Sequence, residues 1–139
     1  MLISKKLVGI LVAVAVLLAA CGARSNSRQV PVTLTEFGVA SSQTSFEVGV
    51  PYHFVVTNKG AINHEIMLMA PTMAEQMGMT MEGMDKMALA KIAADDLPPG
   101  ATRTFDYTFT EPAATGALEF SCHLSGHYEA GMKLPITVK

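Results

Sequence analysis

Short segments in which polar and apolar residues alternate make up much of the chain from residue 30 onward. In the clearest of them, Phe105, Tyr107 and Phe109 alternate with threonines and one aspartate. A period of two places every second side chain on one face of a β-strand. The other alternating segments are 30–35, 52–57 and 117–122, and a final run at 133–139 closes the chain. These segments predict an all-β sandwich, built as one domain over residues 30–139.

Residues 71–96 interrupt the alternation with a stretch rich in Met and Ala. Thr72 and Glu75 form a capping box at its start. The segment stops before Leu97-Pro98-Pro99-Gly100, a turn that cannot continue a helix. The sequence therefore predicts a Met-rich helical insertion, weakened around Gly78 and Gly83, between two strands of the sandwich.

The N-terminal residues have the pattern of a targeting segment rather than of a folded domain. Lys5 and Lys6 precede fourteen uncharged, mostly apolar residues, Leu7 to Ala20. This run is shorter than the ~20 residues that a membrane-spanning helix needs, which disfavours an uncleaved anchor. Leu18-Ala19-Ala20-Cys21 resembles the lipobox of bacterial lipoproteins, in which the Cys is lipidated.

That resemblance implies a signal peptide at 1–20 and a lipidated tether at 21–29 that begins with Cys21. The protein is then expected outside the cytoplasm, as a membrane-anchored lipoprotein on the periplasmic side or on the outer face of the cell membrane. The chain has two cysteines, so lipidation of Cys21 leaves Cys122 without a disulfide partner. A free thiol in an oxidising compartment needs an explanation, and metal ligation supplies one.

The charge of the mature chain excludes some classes of partner. Without Lys5 and Lys6, eight Lys and Arg remain against twelve Asp and Glu. A mildly acidic chain with no basic stripe argues against nucleic-acid binding and against electrostatic attachment to anionic lipid.

Four side chains can bind a metal ion through sulfur or nitrogen, and three of them lie on one short segment. Cys122, His127 and Met132 are each separated by four residues, and His64 lies far upstream. One thiolate, two imidazoles and one thioether are the donors of a trigonal copper site with a weak axial Met. Zinc is an alternative, although structural zinc sites usually contain two or more cysteines and no Met.

The positions of the donors along the predicted strands add a second argument. If 62–69 is a strand, His64 shares a face with Ile66 and Leu68 and points inward. Cys122 likewise shares a face with Phe120, whereas His123 falls on the opposite face and is expected to point away from the metal. Taken singly, a histidine placed like His64 is more often a hydrogen-bonded core residue than a metal ligand. A methionine placed like Met132 more often packs in the core. The set on one short loop, with Gly126 and Gly131 to let the backbone turn, favours the metal site.

At these residues the chain resembles the cupredoxins, the family of blue copper proteins, and its Cys-x4-His-x4-Met loop is most similar to that of auracyanins. The resemblance implies a Greek-key β-sandwich with one copper ion at one end. It implies equatorial ligands His64, Cys122 and His127 and an axial Met132. It also implies a monomeric electron carrier, not an enzyme, that exchanges electrons with redox protein partners such as a cytochrome or a membrane electron-transfer complex. The candidate contact residues around the exposed edge of His127 are Leu124, Gly126, Tyr128 and Ala130.

The chain departs from the family pattern close to the ligands. Ser125 stands where Pro is frequent, and His123 stands where Thr or Ser is common. Glu65 follows His64 where many members have an Asn that hydrogen-bonds the Cys loop. These changes leave the ligand set intact but affect the hydrogen bonds around it.

Eight methionines lie between residues 67 and 87. Thioethers are soft ligands, so Met77, Met79, Met81 and Met84 are candidates for an accessory Cu(I) site. That interpretation gives an alternative function, a copper-binding chaperone or scavenger that uses both the Cys122–Met132 loop and the Met-rich segment. Alternatively, the methionines pack against the sandwich or form an adaptable docking surface for partners. The helical spacing of Met73, Met77, Met81 and Met84 favours these two interpretations over a copper site.

Overall fold

A computed structural model describes residues 27–71 and 79–139. The predicted signal peptide, Cys21, most of the tether and the Thr72–Glu75 capping box lie outside the described residues. Among the residues that are described, no helix has the length and apolar character needed to cross a membrane.

The described residues form nine strands, one α-helix and a short 3-10 helix at Ala94–Asp96. The first five strands are β1 (Arg28–Thr35), β2 (Gly38–Ser41), β3 (Ser45–Phe46), β4 (Pro51–Asn58) and β5 (Ile66–Met69). Helix α1 (Met81–Met87) and strands β6 (Ala90–Ile92), β7 (Thr102–Thr108), β8 (Ala113–Ser121) and β9 (Lys133–Val138) follow.

The strands form two sheets that pack face to face. One sheet has the order β2-β1-β4-β7 and the other the order β3-β9-β8-β5-β6. Pairing is antiparallel except between β1 and β4 and between β3 and β9. The predicted all-β sandwich is confirmed, with strands distant in sequence paired at the centre of each sheet.

The alternation along the strands determines which side chains fill the space between the sheets. In β4, Tyr52, Phe54 and Val56 are buried while the residues between them are partly exposed. Phe46 lies at the centre of an aromatic core, in contact with the rings of Tyr52, Phe54, Phe109 and Phe120. Edge-to-face and stacked ring pairs of this kind stabilise a core beyond the area that they bury.

Strand β5 is buried on both faces. Ile66 and Leu68 belong to the core between the sheets. Met67 and Met69, on the opposite face, form a second cluster with Met84 of α1. Helix α1 therefore covers the outer face of this sheet, which is why an alternating pattern is absent from β5.

The described part of the Met-rich insertion is less helical than its composition indicates. Within the described residues α1 covers only Met81–Met87, with Thr80 as its N-cap: the Thr80 hydroxyl accepts the Gly83 N–H at 3.2 Å. Residues Ala90–Ile92, expected to be helical, form β6 and pair with β5. Pairing with an existing sheet edge outweighs the helix propensity of Ala90 and Lys91, because tertiary contacts override the propensity of a few residues. At the other end of the chain, Arg28 and Gln29 already belong to β1 rather than to the tether.

Candidate metal centre

The ends of two neighbouring strands bring the candidate ligands to one pole of the sandwich. Cys122 directly follows β8, and His64 stands two residues before β5. Because β5 and β8 are antiparallel, with Met67 opposite Ser121, the start of one strand lies beside the end of the other. The loop from Cys122 to Met132 then returns the chain to β9 and supplies His127.

Three donor atoms converge in this position. The Nδ1 atoms of His64 and His127 lie 3.3 Å apart, and Cys122 Sγ lies 3.4 Å from His127 Nδ1. All three donor atoms are within 4.8 Å of one another. Bonds of transition metals to imidazole and thiolate are about 2.0–2.3 Å long, so donors on one ion stand roughly 3–4 Å apart. The spacing therefore suits one ion, and His64 and Cys122 are fully buried.

Backbone hydrogen bonds hold the loop in this shape. The Cys122 N–H donates to the Met132 carbonyl at 3.0 Å, and the Met132 N–H donates to the His127 carbonyl at 3.0 Å. Gly126 and Gly131 have φ of 81° and 106°, in the left-handed region that favours glycine. Met132 is fully buried and belongs to the same core cluster as Cys122.

No family model matches the sequence. Three solved structures are similar to this chain, and each match covers 81% of its length. The reduced auracyanin of Roseiflexus castenholzii has a TM-score of 0.60 and 21% identity, with 98% of that chain covered. Auracyanin B has a TM-score of 0.58 and 22% identity, with 88% covered. The azurin Az-iso2 of Methylomonas sp. strain J has a TM-score of 0.55 and 15% identity, with 98% covered.

The chain has a cupredoxin fold. Among curated proteins, it is similar to the copper-resistant cuproprotein CopI of Rubrivivax gelatinosus, with 32% identity over 91 residues. The match covers 66% of this chain and 53% of CopI. The chain thus spans about half the length of that relative.

The donors of this domain, which has a cupredoxin fold, fit one copper ion. Two imidazole nitrogens and one thiolate sulfur face a common point, and the neighbouring Met132 adds a soft thioether to the loop. Burial raises the pKa of the Cys122 thiol, and burial together with His127 lowers the pKa of His64. In the metal-free protein these shifts favour a protonated thiol and a neutral imidazole at the site, so metal binding displaces the thiol proton.

His123 points away from the three donors. Its Nε2 lies 2.9 Å from the Ser121 hydroxyl, and its ring stacks on Tyr128 with centroids 4.6 Å apart. The backbone N–H of His123 donates to Oε1 of Glu65 at 3.0 Å. Glu65, which stands where the family often has Asn, therefore holds the Cys loop of this chain. Burial raises the pKa of this carboxyl group.

The predicted contact surface around His127 gains one residue that the sequence analysis missed. Phe37, in the turn between β1 and β2, is 58% exposed, and its ring lies edge-on to His127 with centroids 6.2 Å apart. Of the residues that were predicted, Gly126 and Ala130 are exposed, and Leu124 and Tyr128 are half-buried. The available signal was the aromatic residue itself, because a two-residue turn between strands usually carries polar residues.

Three of the four candidate methionines of the accessory site lie among the described residues, and their environments differ. Met84 is buried and Met79 is half-buried in the outer cluster with Met67 and Met69, whereas Met81 is 38% exposed. Met77 lies outside the described residues.

Proposed function

We propose that this chain binds one copper ion through His64, Cys122 and His127, with Met132 as a weak axial ligand, and carries single electrons between redox proteins outside the cytoplasm. The observation that supports it best is the convergence of two Nδ1 atoms and one Sγ at one pole of the sandwich, where His64 and Cys122 are buried and His127 is half-buried. The similarity to a protein named as a copper-resistant cuproprotein also supports copper as the metal.

A preformed site of this kind suits electron transfer. When bound there, copper supplies a one-electron couple, since imidazole suits Cu(II) and soft sulfur suits Cu(I). The loop hydrogen bonds of Cys122 and Met132 hold this loop in shape without a metal. Little of the protein has to move when an electron arrives or leaves.

The half-buried His127 gives the route for electrons to reach the surface. His64 and Cys122 are inaccessible, so a partner approaches through the His127 edge. Phe37 and the exposed residues Gly126 and Ala130 surround this edge with an apolar surface that a redox protein can contact. We infer that the partner is a cytochrome or a membrane electron-transfer complex, and that lipid on Cys21 keeps the protein at the membrane.

The visible spectrum of the mature protein tests this proposal. Residues 22–139 are expressed, loaded with Cu(II) and analysed for metal content. We expect one copper per chain, an intense thiolate-to-copper band that is lost in Cys122→Ser, and a reversible one-electron wave. A colourless protein that binds only Cu(I) would overturn the electron-carrier proposal.

A copper chaperone or scavenger is the second candidate, favoured by the name of the relative CopI. This function requires a further Cu(I) site in the Met-rich segment, where Met81 and Met87 are exposed. Titration of the Cys122→Ser variant with Cu(I) separates the two functions. Tight binding that disappears in Met81→Leu and Met87→Leu supports the chaperone, and its absence supports the carrier.

A further inference from the structure

The imidazole of His64 has two distinct environments. Its Nδ1 faces His127 and Cys122, whereas its Nε2 is buried on the far side of the ring. Among the described residues, Nε2 has no hydrogen-bond partner. An imidazole that binds a metal through Nδ1 carries its proton on Nε2, and a buried N–H without an acceptor is costly. The site is therefore incomplete unless an acceptor serves this N–H.

Gly60 marks the space in front of Nε2. A Cβ at this glycine would lie 2.8 Å from His64 Nε2, 3.0 Å from Glu36 Oε1 and 3.2 Å from Asn58 Oδ1. The absence of a side chain thus leaves one N–H donor and two oxygen acceptors around the same small gap. One of these two oxygens, directly or through one water, is the natural acceptor for His64.

The hydrogen bonds that Asn58 already makes leave its side chain little freedom to move toward His64 Nε2 and accept its hydrogen bond. Its amide NH₂ donates to the carbonyls of Ile62 and Leu97, both at 2.8 Å. Its Oδ1 accepts the Gly60 N–H at 2.8 Å. These three bonds fix the Asn58 side chain, which is fully buried.

Glu36 keeps spare acceptor capacity. Its Oε1 accepts the N–H of Ala61, and a carboxylate has about four lone-pair positions. The hydrogen bond from Ala61, with a smaller contribution from His64, lowers the pKa of Glu36, so the group is ionised at neutral pH. A carboxylate that accepts from a ligand histidine orients the ring and increases its basicity.

We propose that the Glu36 carboxylate is the outer acceptor of the His64 Nε2–H and a positioning residue of the copper site, which favours Cu(II) and lowers the reduction potential. The inference rests on the proposed function, because it assumes that His64 binds copper through Nδ1. Glu36 and Phe37 are the two residues of the β1–β2 turn, and Phe37 contacts the other histidine ligand. A single turn thus supports both imidazoles from outside the site.

Three variants test the proposal. Glu36→Gln keeps an acceptor oxygen and removes the charge, and Glu36→Ala removes both. Glu111→Gln is the control, because it removes the same charge from an exposed residue. Glu111 lies just before the start of β8, whereas Cys122 follows the end of that strand. In the copper-loaded protein we expect Glu36→Gln to raise the reduction potential by more than Glu111→Gln does. Equal shifts in the two variants would overturn the proposal.

Proton and nitrogen NMR of the His64 ring gives a second readout in the metal-free and Cu(I) proteins. We expect a slowly exchanging Nε2–H in the wild type and a faster one in Glu36→Ala. If Glu36→Ala is folded and its His64 Nε2–H exchanges at the same rate as in the wild type, the proposed role of Glu36 is overturned. A wild type that binds no copper would instead refute the proposed function, while the NMR of the metal-free protein still decides whether Glu36 holds His64.

Discussion

Glu65 Oε1 accepts the backbone N–H of His123 at 3.0 Å, and this bond joins the residue after one candidate ligand to the residue after another. Glu65 is 2% exposed, so the bond is shielded from water. Lys91 lies close enough to favour the charged form of the carboxyl group, although burial dominates its pKa. The two ligand segments, before β5 and after β8, are therefore tied together independently of any metal.

Two substitutions of Glu65 separate the contribution of its hydrogen bond to stability from the contribution of its charge. Glu65→Gln keeps an acceptor, whereas Glu65→Leu leaves the His123 N–H unsatisfied in a partly buried position. An unsatisfied buried donor costs about 1–3 kcal/mol. We expect Glu65→Leu to destabilise the metal-free protein by about that amount and Glu65→Gln to do so much less, as measured by urea unfolding. Equal losses in the two variants would show that the hydrogen bond does not matter.

Gly60→Ala tests the tight space behind His64. A Cβ at 2.8 Å from Nε2 is too close, so the His64 ring must shift away from its place opposite His127. We expect weaker copper binding and a changed thiolate-to-copper band. Gly83→Ala is the matched control, because its Cβ would meet only Thr80 Oγ1 at 3.6 Å. In α1 that change should stabilise the protein by about 0.5–1 kcal/mol and leave the spectrum unaltered.

Phe37→Ser tests the apolar surface around His127. An aromatic residue at the centre of a contact contributes more than about 1 kcal/mol in many interfaces. We therefore expect electron self-exchange between two copies to slow about fivefold or more, with the copper spectrum retained. Val48→Ser, an exposed apolar residue beside the C-terminal Lys139, should leave the rate unchanged. If both variants slow exchange equally, Phe37 has no special role.

Met84→Ala distinguishes packing from metal binding in the outer cluster. Met84 is 5% exposed and contacts Met67 and Met69, so truncation should cost about 2–5 kcal/mol. Met81 is 38% exposed, and Met81→Ala should have little effect on stability. Thermal unfolding of the metal-free protein measures both. A negligible loss in Met84→Ala would argue against the packing role.

The parts of the fold that follow local patterns were predictable, and the parts that depend on distant pairing were not. The alternation at Tyr52, Phe54 and Val56 correctly indicated a strand with one buried face. The alternation predicts His64 on a strand, yet β5 begins only at Ile66. The residue is buried all the same, and its backbone N–H donates to the Leu97 carbonyl. Strand β6 has no pattern of its own and exists because β5 offers an edge.

The surroundings of the site were the hardest to predict. Glu36 is an ordinary turn residue and Phe37 an unusual one, but neither reveals its partner. Only the three-dimensional arrangement brings them to the candidate ligands His64 and His127, 28 and 90 positions further along the chain. The same holds for Glu65, whose partner His123 lies across the sheet. Ligand types and spacing are local features of a loop, whereas the hydrogen bonds that support ligands come from other strands.

Glu119, which is not among the candidate copper ligands, gives a pH-dependent prediction. Its side chain is 2% exposed, its Oε1 has no hydrogen-bond partner among the described residues, and burial raises the pKa of its carboxyl group. A carboxyl group whose pKa is higher in the folded state favours folding at low pH. That stability is lost as the pH rises through the folded-state pKa.

Glu119→Gln should therefore stabilise the metal-free protein at pH 7 and have a smaller effect near pH 4, where the carboxyl group is protonated in the folded protein. Each unit by which burial raises the pKa corresponds to about 1.4 kcal/mol. Urea unfolding of both proteins across this pH range measures the difference, with Glu111→Gln as the exposed control. A stabilisation that is the same at pH 4 and pH 7 would mean that the charge of Glu119 is not its cause.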